Sequence, residues 1–140
     1  MELIHKFNEL YNLLGKAIVD FEKSLNADLS KYDEQEIDWI KNARIQKFEF
    51  CTELMWKTAK LYAESVEEKV YTPKLTIKSL FLLQIIDEET YRQLMDCIND
   101  RNLLSHIYKS EMFDSINQKL YNHLSGFKKI FTILGTVTFI

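Results

Sequence analysis

Residues 101–108, RNLLSHIY, bring an arginine, an amide, a histidine and a phenol together within two helical turns, and no other stretch of the chain does so. An imidazole can move a proton and a guanidinium can hold the charge that grows on a phosphate, the two tasks of acid–base chemistry at a phosphoryl group. Imidazole, with an ordinary pKa of about 6.5, suits the first task at neutral pH. The planar fork of a guanidinium suits the second. His106 and Arg101 are therefore the candidate catalytic residues. Asn102 shares the helical face of His106 and is placed to orient the imidazole or meet the phosphate. Tyr108, on the face of Arg101, is placed to stack on a base or to carry a modification on its hydroxyl. On a regular helix Arg101 and His106 project about 140° apart. Aiming both at one phosphate needs a helix that ends or unwinds between them, or a two-fold pair of chains that shares a groove. A plainer reading makes His106 a helix-end dipole partner and pairs Arg101 with Asp96, Asp100 or Glu111 on a solvated face.

The helix that must carry these residues has an inward seam of Tyr91, Leu94 and Ile98, and the same period continues as Arg101, Ser105 and Tyr108. A core stripe that turns polar in register predicts a wet cleft, a charged partner or a subunit boundary at that end. Asp87 caps this helix, and Glu88 and Glu89 complement its dipole. Before it, Thr72 and Pro73 start a short helix with Ile77, Leu80 and Phe81 inward. A first helix runs from Leu3 on Phe7, Leu10, Leu14, Ala17 and Phe21, with a second seam of Ile4, Tyr11, Ile18 and Leu25, and stops near Asn26.

Asp33 and Glu36 form a capping box that opens the longest helix, expected to run to about Glu68. Its inward stripe is Ile37, Ile40, Arg44, Phe48, Cys51, Met55, Ala59 and Tyr62, with Trp56 alongside. Arg44 on that stripe needs a carboxylate such as Glu49, or a subunit interface. Glu53 and Lys57 are spaced for an ordinary i,i+4 pair. Ser110 and Glu111 begin a final helix with Phe113, Ile116, Leu120, Leu124, Phe127, Phe131 and Leu134 inward. Gly135 stops it, and TVTFI follows as an extended tail.

With 140 residues, 46% of them hydrophobic, the chain makes a single domain, residues 1–140, with a sizeable core. Three glycines and one proline leave too few turns for a sandwich or barrel, so the expected fold is an all-α, up-and-down bundle of about five helices. A net charge of -3 gives no general basic field for nucleic acid. Cys51 and Cys97 lie inside helical patterns without CxxC spacing, which predicts reduced packing residues in a cytoplasmic protein. The apolar runs are too short to span a membrane. A Gly-rich phosphate loop and zinc spacings are missing, so no metal or cofactor is expected. Asp96 and Asp100 read as a solvated acidic face, and His5 and His123 have no clustered partners.

The stretches RIQKFEFCTELMWKTAK from Arg44, TPKLTIKSLFLLQIID from Thr72 and DRNLLSHIY from Asp100 resemble the nucleotidyltransferase substrate-binding protein family of the HEPN superfamily, which includes HepT-type toxins. The resemblance runs in register from Ile37 to Tyr108. Arg101, His106 and Tyr108 match that family's arginine, histidine and tyrosine signature, and Asn102 its polar position after the arginine. Phe48, Glu49, Glu53, Trp56 and Lys57 match its FE, E and WK positions. Gln84 stands where the family usually has glycine, and Tyr91 where it often has tryptophan. The resemblance implies a homodimer, a small nucleotidyltransferase partner and RNA or a nucleotide as substrate. It implies either a metal-independent ribonuclease held in check by that partner, or a non-catalytic subunit that presents substrate to it. The chain itself has no Gly-Ser loop with a strand-borne carboxylate pair, so nucleotide transfer belongs to another polypeptide.

Overall fold

The computed structural model describes residues 2–106 and 110–139, with every side chain among them except those of His106 and Ser110. The described residues form five α-helices and no strand. These are α1 (Glu2–Leu25), α2 (Glu34–Val66), α3 (Pro73–Leu82), α4 (Glu88–His106) and α5 (Ser110–Leu134), with a 3-10 turn at Leu29–Lys31 between α1 and α2. None of these helices is long and apolar enough to cross a membrane.

Local chemistry sets most of the helix starts. At α2 the Glu36 amide donates to Asp33 Oδ1 at 2.8 Å and the Asp33 amide donates to Glu36 Oε1 at 3.1 Å, completing the capping box. Thr72 accepts from the Leu75 amide with Pro73 just inside α3. Asp87 accepts from the Thr90 amide at 2.8 Å at the head of α4. At about 1.5 Å per residue, α2 is about 50 Å long and forms the spine. The other helices lean on it: α1 lies along it, α5 packs on α1, α2 and α4, and α3 bridges α2 and α4. The core they enclose includes Leu14, Phe21, Phe48, Met55, Leu94, Ile98, Phe127 and Ile130, all nearly or fully shut from water. Each such side chain contributes roughly 1.5–3 kcal/mol by leaving water.

Arg44 departs from the sequence reading. Its Nε donates to the Ser24 carbonyl at 2.8 Å, and its Nη2 reaches the carbonyls of Leu25 at 3.3 Å and Ala27 at 3.5 Å. The Tyr121 hydroxyl also donates to the Leu25 carbonyl, at 2.8 Å. The orphan acceptors at the C-terminal end of α1 therefore satisfy this guanidinium, in place of Glu49 or a second subunit. That is why an inward arginine is tolerated where α1 ends.

Two turns reverse the expected use of glycine. Gln84 follows α3 with φ of 60°, the one left-handed non-glycine residue among those described. The Ile85 amide donates to the Leu80 carbonyl at 2.9 Å and the Gln84 amide to the Phe81 carbonyl at 3.0 Å, the two bonds of a Schellman motif. Gly135 ends α5 without a positive φ. A Cβ there would sit 2.6 Å from the Tyr11 hydroxyl, so what this glycine supplies is room. Tyr11 stacks on Phe131 at 4.3 Å and donates to its carbonyl at 3.0 Å. Beyond it the tail is irregular but folded back. Phe139 meets Phe7 edge-on at 4.9 Å and Tyr62 at 5.8 Å, closing one end of the core.

Gln84→Gly removes a left-handed penalty of roughly 1–2 kcal/mol and adds about 0.5–1 kcal/mol of unfolded-chain entropy. Urea unfolding of the variant should show a net gain of about 0.5–1 kcal/mol; a lower midpoint would contradict the left-handed assignment.

Candidate functional site

Helix α4 is continuous through His106, so the expectation that it ends or unwinds between Arg101 and His106 does not hold. Five residues apart on a regular helix, the two positions stand about 140° apart around the axis. The His106 side chain and all of Tyr108 lie outside the described residues. Asn102 and Ser105 are exposed, although the sequence seam placed Ser105 inward.

Arg101 points to α2. Its Nη1 lies 3.4 Å from Glu49 Oε2 and its Nη2 lies 3.9 Å from Glu53 Oε1, while Nη1 also donates to Ser105 Oγ. The partners are thus two of the residues that match the family pattern, and not Asp96, Asp100 or Glu111. The three charged side chains are 27%, 32% and 38% exposed, which puts the cluster at a wet edge between α2 and α4. Ion pairs at that exposure contribute less than about 1 kcal/mol, so what they supply is orientation more than stability. Glu53 also takes the predicted i,i+4 pair with Lys57, at 3.4 Å. Trp56 follows on the same face of α2, its ring against the core and Lys60 Nζ 5.8 Å from its centre. Glu49, Glu53, Trp56 and Lys57 therefore form one surface, and Arg44 stands apart at the end of α1.

Beneath this edge lies a polar cluster that the sequence reading missed. His123, fully buried, has Nε2 at 2.6 Å from Asp100 Oδ2 and Nδ1 at 3.4 Å from the Cys97 sulfur. The Phe48 ring stacks on the imidazole at 4.8 Å. Lys119 Nζ completes the set at 2.9 Å from Asp100 Oδ2 and 3.9 Å from Asp96. Asp100 is only 4% exposed, so it does not belong to a solvated acidic face, and His123 is not without partners. His5, the other histidine set aside, has Glu9 at 3.1 Å on the surface. One signal was available in the sequence. His123 falls on the inward stripe of α5 with Ile116, Leu120 and Phe127, where an imidazole must find a buried partner.

The donors and acceptors of this cluster match. A carboxylate only accepts, so His123 Nε2–H donates to Asp100, and Nδ1 lies against the Cys97 sulfur. Burial alone would push the Asp100 carboxyl up. The hydrogen bonds and positive charge of His123 and Lys119 outweigh it and hold the group below its ordinary range. Burial, with the nearby carboxylates, drives the Cys97 thiol well above its usual value, and chiefly burial pushes Cys51 up to about 12. Both cysteines are free, buried and protonated at neutral pH, which suits packing and not nucleophilic attack.

Fold and cluster together define an all-α bundle protein with one polar edge, built where its fourth helix crosses its second. The chain belongs to the family described as nucleotidyltransferase substrate binding protein like, whose model matches residues 9–135. A crystal structure of a protein from Thermus thermophilus is similar at a TM-score of 0.73 and 21% identity, over 86% of this chain and 98% of that one, which shows a shared fold. No curated protein matches the chain.

Because the folded Asp100 carboxyl titrates below its unfolded value, its contribution to stability is complete above the unfolded pKa of about 3.9 and is lost as pH falls through the lower folded value. Asp100→Asn should therefore be less stable than wild type at neutral pH and lose less on acidification. Thermal melts from neutral pH down through the carboxylate range test this, and parallel curves for the two proteins would refute it.

Proposed function

We propose that this chain is a metal-independent ribonuclease of the HEPN type that works with a small nucleotidyltransferase, its cleaving groove formed by Arg101 of one copy and His106 of another. The observation that carries the reading is the guanidinium held at the α2–α4 edge by Glu49, Glu53 and Ser105, little more than one helical turn before His106. Its carboxylate contacts, at 3.4 and 3.9 Å, are longer than the roughly 2.7–2.9 Å of a tight charged hydrogen bond. A phosphate oxygen can take their place at small cost. Family membership supports the nucleotidyltransferase partner. The separation of the two positions by about 140° around one continuous helix supports a groove shared by two copies.

In this reading His106 removes the 2'-hydroxyl proton, and that oxygen attacks the adjacent phosphorus. The bond from phosphorus to the 5'-oxygen breaks, and the leaving oxygen takes a proton from the imidazolium or from water. The products are a 2',3'-cyclic phosphate and a 5'-hydroxyl. Arg101 stabilises the charge on the non-bridging oxygens throughout.

A second reading, a non-catalytic subunit that presents substrate to the nucleotidyltransferase, is favoured by the family's own description and by the two carboxylates that already neutralise Arg101.

Incubation of the purified protein with RNA in excess chelator should yield cyclic phosphate ends. His106→Ala and Arg101→Ala should each reduce the rate by at least about a hundredfold. Mixing the two inactive variants should restore cutting, because a mixed pair retains one complete groove. Wild type no faster than His106→Ala would remove the ribonuclease reading and leave the presenting subunit. Active wild type without rescue in the mixture would remove the shared groove.

A further inference from the structure

We infer that Asp100 is a positioning residue for the Arg101 guanidinium, acting through the buried His123 and Phe48; its bearing on catalysis rests on the reading of Arg101 as the phosphate-binding cation. Asp100 and Arg101 are consecutive on α4, and Phe48 and Glu49 are consecutive on α2. The outer members of these two pairs meet directly, Arg101 with Glu49 at 3.4 Å. The inner members meet through the imidazole, which stacks on Phe48 at 4.8 Å and bonds Asp100 at 2.6 Å. Phe48 and His123 are fully buried, so the imidazole, stacked on the Phe48 ring by its face and bonded to the Asp100 carboxylate by its edge, fixes how far α4 stands from α2 at the level of Arg101.

Lys119 adds the third direction. Its ammonium lies 2.9 Å from Asp100 Oδ2 and ties that turn of α4 to α5. An amide at position 100 has one carbonyl oxygen to serve both donors, and it carries no charge to hold the ammonium. Lys119 then turns to Asp96, already 3.9 Å away, and the α4 turn is released from α5. The Arg101 guanidinium loses its alignment with Glu49 as a result.

Arg101 Nε is shielded from solvent and has no hydrogen-bond partner among the described residues, so its proton reports on this packing directly. The experiment is a proton–nitrogen spectrum of the arginine side chains in the full-length protein, with the Arg101 signal assigned by its loss in Arg101→Lys. In Asp100→Asn the signal should shift and its proton should exchange with water faster. Lys119→Gln, whose side chain is partly exposed, should move it the same way by less. Phe139→Ala, which destabilises the remote tail, should leave it in place. An Arg101 signal unchanged in both network variants overturns the inference. So does one that moves equally in Phe139→Ala, since general loosening would then explain it. Should Asp100→Asn not fold, Lys119→Gln decides alone. In RNA cleavage, Asp100→Asn should lower kcat about tenfold or more with little change in KM, the signature of a misplaced group. Inactive wild type would defeat the ribonuclease reading while the side-chain signal still decided the role of Asp100.

Discussion

A carboxylate taken out of water between α4 and α5 is the constraint around which the rest of this bundle is arranged. Asp100 is nearly inaccessible, and a buried charge of that kind is tolerated only when its lone pairs are met. Meeting them requires an imidazole on the apolar stripe of α5, an ammonium one turn earlier, and a close crossing of the two helices. Gly126 permits that crossing further along, where a Cβ would come within 3.1 Å of the Gln93 Cβ. The imidazole in turn needs a partner for its second nitrogen, and Cys97 supplies a thiol that burial keeps protonated. One ionised group thus accounts for residues on both helices, and through Phe48 for the face of α2 as well.

Such a network is a poor source of net stability, because desolvation offsets most of the attraction. Its effect is on register. Sliding α4 by one residue relative to α5 strands a charge in the core, a loss of several kcal/mol, whereas an all-apolar seam tolerates slippage at a smaller penalty. The residue fixed most closely by that register is the next one along the chain, Arg101. Its own pairs with Glu49 and Glu53 are too exposed to hold a helix in place.

Local signals in the sequence matched the structure well. The capping box at Asp33, the Thr72–Pro73 start and the Asp87 cap each depend on atoms within four residues, so composition and spacing suffice. The apolar rhythm identified half of the buried residues of α2, namely Phe48, Cys51, Met55, Ala59 and Tyr62, and missed Ile45, Thr52, Leu54, Thr58 and Ala63. Features that depend on which helices meet were illegible. Arg44 looked short of a carboxylate because nothing local shows that the end of α1 leaves carbonyls within its reach. Asp100 looked solvated because its partners lie 19 and 23 residues away on a helix whose facing side is set by packing. At the candidate site, the arginine–histidine run was visible at once. Its carboxylate partners on α2 were not, since Glu49 and Glu53 carry equally ordinary intrahelical readings.

An arginine held by two carboxylates has consequences for how RNA would reach it. The chain carries a net charge of -3, and Glu49 and Glu53 cancel the local positive field, so Arg101 exerts little pull on a polyanion beyond a Debye length of about 8–10 Å. Under the proposed ribonuclease reading, capture would come from elsewhere, from a second copy, a partner, or bases contacted directly. Once a phosphodiester is delivered to this edge, the balance reverses. The guanidinium is already charged, desolvated on one side and pointed, and exchanging a 3.9 Å carboxylate contact for a phosphate oxygen at hydrogen-bond distance is favourable. Paired residues of this sort discriminate by placement and not by attraction.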